Sequence, residues 1–236
     1  MAAAIEPSMI REDYIIGWIK RYIRWLAEIA GFVKTADYEA AARRVDLALR
    51  DLLGIGPDSV LALTDGELLA RLTVDEPPPV VRDKCLLLAA LLNHLGSAAS
   101  GQNNADVARD CWLKALQIVL ATQLQGRGED WPEFAPAVPD LMARLQPTEL
   151  PSRTHAALLI YHEQRGEFAK AEDALFRLLD ATEQAPAAVE IGFGFYQRMG
   201  VLSDDALAAG DFSRAEVGAG LAELQRRQEG AAPSAN

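Results

Sequence analysis

Cysteine is scarce: Cys85 and Cys111 are the only two in 236 residues. Two thiols in a chain of this length build no disulfide scaffold, and a reducing compartment is expected. Both sit in apolar helical stretches, where cysteine acts as a small hydrophobe. Cations are outnumbered, with 23 Lys and Arg against 34 Asp and Glu and a net charge of −11. An acidic chain repels phosphate backbones, so no nucleic-acid partner is expected. No uncharged apolar run approaches the roughly 20 residues that span a bilayer. Met1–Ser8 lacks the basic start and long apolar core of a secretory leader. A cytoplasmic location is expected, and the many Ala, Leu and Arg residues suggest a bacterial chain. Alternating apolar and polar runs of useful length are missing, which argues against sheet. A nucleophile elbow, a phosphate loop and a dinucleotide fingerprint are missing too. The Gly192/Gly194 pair has neither the third glycine nor the preceding strand such a site needs, and reads instead as close helix packing. No catalytic residue, cofactor or metal is expected.

What is present is a returning pattern: a turn, often glycine plus an aromatic, then small residues at helical spacing. It runs Asp37-Tyr38-Glu39-Ala40-Ala41 to Val45 and Ala48, and Gly166-Glu167-Phe168-Ala169-Lys170-Ala171 to Leu175 and Leu178. It returns as Gly210-Asp211-Phe212-Ser213-Arg214-Ala215, to Ala219 and Ala222. A variant at Asn103-Asn104 leads to Ala108, Trp112 and Ala115. Small residues let helices approach closely, and the turns reverse the chain. The fold class expected is all-α, stacked antiparallel helical hairpins with irregular repeats. Ala41, Ala108, Ala171 and Ala215 are the expected points of contact.

The pattern predicts helices over about 10–33, 38–53, 65–72, 81–100, 106–124, 139–145, 152–164, 169–180, 187–199 and 214–228. Thr64-Asp65-Gly66-Glu67 and Ser213–Glu216 read as capping boxes, and Ser203 as the cap of a further short helix. Pro77, Pro78 and Pro79 read as an extended linker. The domain expectation is a single helical-repeat domain over 9–228, with a sub-boundary near 73–80 and flexible tails at 1–8 and 229–236.

The Val81–Leu124 hairpin resembles a tetratricopeptide repeat. Leu95-Gly96 on its first helix and Ala108, Trp112 and Ala115 on its second fall at that family's spacing. Gly166–Leu179 resembles the second-helix half. This resemblance implies a right-handed α-α superhelix with a concave face built from first helices, placing Asn93, Ser97, Ser100, Arg153, Glu163 and Gln164 on that face. A second resemblance covers nearly the whole chain. Met9–Ile15, Asp37–Ala41, Ala169–Phe176 and Leu202–Asp205 are similar to a family of helical bacterial proteins of unknown function.

The function expected is a non-catalytic interaction or scaffold module that binds a peptide or partner helix on the concave face. One alternative is a homodimer joined through helix 10–33, whose rows Ile15/Tyr22/Ile29, Ile19/Leu26/Val33 and Trp18/Trp25/Phe32 form an unusually wide apolar stripe. That stripe serves as core equally well, and no membrane contact is expected. Another alternative is a metal-dependent enzyme using His155 and His162, seven residues apart on one helix face. Metal pairs on one helix more often use a four-residue spacing, and a third ligand is missing nearby. His94 is isolated. Glu129–Phe134 places two aromatics in a loop, as anchors to the core or as a recognition patch.

Overall fold

Among the described residues, five helices begin at a side-chain cap that the sequence supplies, at Asp37, Thr64, Asn104, Ser203 and Ser213. A computed structural model describes the backbone of residues 7–74, 76–126, 131–145 and 150–231, and the side chains among them from Gly17 to Gln228. The described residues form twelve α-helices and no strand, so the chain is all-α. Their contacts divide the chain into two units, Met1–Thr148 and Glu149–Asn236. Residues 73–80 lie inside the first unit.

In the first unit α1 spans Pro7–Lys34 and α2 Tyr38–Leu53. Between them Ala36 takes a left-handed φ of 58°, and the Asp37 carboxylate accepts from the Ala40 amide to cap α2. Gly54, at φ 75°, closes α2 by donating to the Arg50 carbonyl. The central row of α1 is core: Tyr22 and Ile29 are fully buried and Leu26 nearly so. Trp18, Trp25 and Phe32 are half-buried, and Ile15 falls outside the described side chains. α3 (Pro57–Ala62) follows, with its proline in the first turn; its six residues are too few to show a helical period, and the sequence pattern misses it. α4 (Asp65–Thr73) opens with the expected capping box, Thr64 and Glu67 satisfying one another's backbone amides.

α5 (Pro78–Gly101) corrects the linker expectation. Pro77 is extended and caps the helix, while Pro78 and Pro79 occupy its first turn. N–H groups there have no intrahelical partner, so proline loses nothing. α5 is the central rod, packed against α1, α2, α4 and α6 (Ala105–Gln125). Every residue from Cys85 to Leu92 is buried. Asn104 caps α6 by accepting from the Val107 amide. A Cβ added at Gly96 would stand 2.5 Å from Trp112 Nε1, so the two helices meet through a glycine as the Leu95-Gly96 pair predicts. α7 (Val138–Leu145) buries Val138, Leu141 and Leu145 and packs on α6.

The second unit contains α8 (Ser152–Gln164), α9 (Phe168–Ala181), α10 (Pro186–Gly200), α11 (Asp204–Ala209) and α12 (Arg214–Ala231). α8 and α9 form the expected hairpin, turning at Gly166 with φ 71°. Ser203 caps α11 by accepting from the Ala206 amide, and Ser213 accepts from the Glu216 amide at the start of α12. α1 and α12 reach into both segments read as tails; residues 1–6 and 232–236 lie outside the described residues.

Three of the four contact alanines are buried: Ala41, Ala108 and Ala171. Ala215 is not; it faces water, as do Ala219 and Ala222. α12 instead buries Val217, Gly220 and Leu224. A Cβ on Gly192 of α10 would stand 2.9 Å from Leu224, and one on Gly220 would fall 2.5 Å from Glu172 Oε1 and closer still to the Tyr196 hydroxyl. Two glycines, one on each helix, thus set the α10–α12 seam, and the register of α12 follows them.

Candidate functional site

The residues expected to bind a partner divide between the two units. In the first, Asn93 and Ser97 are half-buried on α5 and Ser100 is exposed. The Asn93 carbonyl accepts from Trp112 Nε1 at 3.2 Å and from the Ser97 hydroxyl at 3.0 Å. Arg144 of α7 donates to Ser97 Oγ, and its guanidinium lies 5.4 Å from the Trp112 ring centre. The Asn93 Oδ1 atom is buried without a hydrogen-bond partner. Of this row, the Ser97 side chain is engaged within the fold.

In the second unit Arg153 and Gln164 are exposed on α8. Glu163 accepts two hydrogen bonds from Arg198 of α10, a bidentate pair that ties α8 to α10. His155 is buried, its Nδ1 without a partner. His162 Nδ1 lies 2.7 Å from Glu167. Burial would raise the Glu167 carboxyl, but hydrogen bonds from His162, Arg165 and Lys170 hold it down at about 2. Among the described residues no group of three or more His, Cys, Asp and Glu is placed to hold a metal.

All three histidines share one electrostatic property. Burial pushes His94, His155 and His162 below the ordinary value, with nearby Arg144 and Arg177 adding to it at His94 and His155; Glu167 opposes it at His162. A histidine depressed in the fold takes its proton first in the unfolded chain. Stability is therefore complete above about 6.5, the unfolded value, and falls as pH drops below it. Urea unfolding at about pH 5.5 is expected to show a lower midpoint than at about pH 7.5. Equal midpoints would mean that the rings are hydrated in the fold.

The outer seam of α1 and α2 has a different character. Trp25 carries two guanidinium groups near its ring, Arg44 at 4.6 Å and Arg21 at 5.2 Å from the ring centre. Each arginine is fixed by a carboxylate on the other helix, Arg44 by Glu28 at 2.8 Å and Arg21 by Asp51 at 2.6 Å. The Tyr22 hydroxyl donates to the same Asp51. Leu47, one turn from both Arg44 and Asp51, is 56% exposed. On α1, Ile23 is 43% exposed.

The model of a family of unknown function (DUF6483) matches residues 9–229. The chain belongs to this family. No curated protein and no solved structure matches it. The DUF6483 match runs through both units and takes in the α1–α2 seam, both rows of expected binding residues and a cavity of about 520 Å³ between α4, α5 and α6. Neither the seam nor the cavity is expected from the sequence. The seam joins Arg21 of α1 to Arg44 of the next helix on one tryptophan, a pairing that no pattern within a single helix states. The cavity depends on where α4 rests, which no local pattern states. The loop aromatics Trp131 and Phe134 are both half-buried, and Glu129 and Asp130 lie outside the described residues.

Proposed function

We propose that this chain is a non-catalytic protein-interaction module of the bacterial cytoplasm, without cofactor or metal. The observation that carries the reading is the seam at Trp25: an aromatic ring with two guanidiniums, braced by carboxylates, beside an exposed leucine. Tryptophan, tyrosine and arginine are the residues that dominate binding energy at protein interfaces. Rings and guanidiniums already held in place lose little side-chain entropy when a partner arrives. Two buried free cysteines agree with a reducing compartment. No helix among the described residues is long and apolar enough to cross a membrane. The α5–α6 and α8–α9 hairpins, with Gly96 beneath Trp112 and alanines buried at the contact, favour a tetratricopeptide-like arrangement within each unit. The exposed members of the two rows, Ser100 in the first unit and Arg153 and Gln164 in the second, are further candidate positions within each unit.

The test is affinity capture from the native host with wild type, Leu47→Lys and the pair Asn93→Ala/Arg153→Ala. Leu47→Lys is expected to lose the captured protein without a change in melting midpoint, because the side chain it replaces is already in water. Undiminished recovery would sink the seam assignment. Loss in the alanine pair alone would move the assignment from the seam to α5 or to α8. A homodimer through helix 10–33 is the second reading, favoured by Ile23 standing exposed on that helix. Light scattering separates the two readings. A wild-type dimer that Ile23→Lys turns into a monomer supports self-association, and a wild-type monomer at micromolar concentration removes it.

A further inference from the structure

We propose that the cavity between α4, α5 and α6 is a binding site for a small, uncharged apolar molecule, distinct from the protein-binding seam. Its walls are Leu69 and Leu72 of α4, Val81 and Cys85 of α5, and Ile118 and Ala121 of α6. The pocket is partly open to solvent, with Thr73, Pro78 and Ala121 exposed at its edge. At about 520 Å³, it lies inside the 300–1,000 Å³ range of small-molecule sites.

The cavity is braced against closing. Lys114 of α6 donates to the Leu63 carbonyl just before α4. Lys84 of α5 pairs with Glu76 just after it, at 2.8 Å. The capping box at Thr64 and Glu67 fixes the first turn of α4 between these ties. α4 is thus pinned at both ends, from two different helices, with the apolar space between them left open.

Size and charge define the occupant. At about 520 Å³ the space matches a small molecule in volume. An extended peptide would bring backbone N–H and C=O groups into a wall of leucine side chains and lose their hydrogen bonds to water. A small apolar molecule meets no such difficulty. The charged groups at the mouth call for no charge on the ligand: Glu76 is matched by Lys84, and Asp65 and Arg82 are each engaged already. On the wall, the Thr122 hydroxyl donates to the Ile118 carbonyl and is also hydrogen-bonded to the Cys85 thiol, so both polar groups are engaged within the wall.

The probe is the neutral dye N-phenyl-1-naphthylamine, titrated into the full chain. A saturable, one-to-one rise in fluorescence that decanol reverses is expected. Ala121 is exposed at the cavity wall, so Ala121→Trp fills the space without opening a hole elsewhere, and should weaken dye binding by at least about tenfold. Leu69→Gln, at a half-buried wall position, should weaken it too and serves if the tryptophan variant does not fold. Cys85 gives a second readout. Its thiol, pushed up to about 11 by burial, reacts slowly with a small alkylating reagent, and decanol should slow it further while leaving Cys111 unchanged. Non-saturable fluorescence, equal affinity in folded wall variants, or no protection of Cys85 would each overturn the site. None of these readouts involves Leu47 or a captured protein, so the seam and the cavity fail or stand separately.

Discussion

Gly220→Val is expected to destabilise the second unit by about 3–5 kcal/mol, combining overpacking with the loss of a buried hydrogen bond. The added carbon would fall within 2.5 Å of Glu172 Oε1 and closer to the Tyr196 hydroxyl. Tyr196 is 2% exposed and donates to that same carboxylate at 2.6 Å. The ring has nowhere to go, and moving it strands a half-buried carboxylate. Urea unfolding followed by circular dichroism measures the loss. Gly218→Val is the control: nothing lies within 4 Å of a Cβ at that position. Equal midpoints for the two variants would mean that α12 does not rest on α10 through Gly220.

The second large effect is at the hairpin seams. Ala115→Leu and Ala171→Leu each introduce a larger side chain where none of the alanine surface is exposed, and should cost about 1–3 kcal/mol. Ala215→Leu should change stability little, since that position faces water. Thermal melts of the three variants decide this. A loss at Ala215 as large as at Ala171 would restore the register that the sequence pattern implies.

That register shows where local signals stop. Ser203 and the Thr64/Glu67 box act on backbone amides within three residues of themselves, so the sequence announces them as caps and the structure keeps them; Asp37 and Asn104 are announced only as turns. Gly96 is legible because the tryptophan it admits lies at a fixed offset on the adjoining helix. The Gly210–Ala215 turn looks like its relatives at Ala36 and Gly166, yet the helix after it is rotated. What rotates it is Tyr196 and Gly192 on a helix that is not its hairpin mate. The binding row met the same limit. Ser97 and Glu163 look available from their own helices, but Arg144 and Arg198, 47 and 35 residues further along, engage them. Pairings over such distances leave no periodic trace in the chain.

The central rod carries a liability of its own. Between Lys84 and Asp106 the chain has no formally charged residue, and this stretch supplies the part of α5 enclosed by four other helices. Once unfolded, or before α6 has been synthesised, it is the segment most prone to stick to copies of itself. The surplus of eleven negative charges lies outside this stretch. Repulsion between full-length chains of net charge −11 opposes that association.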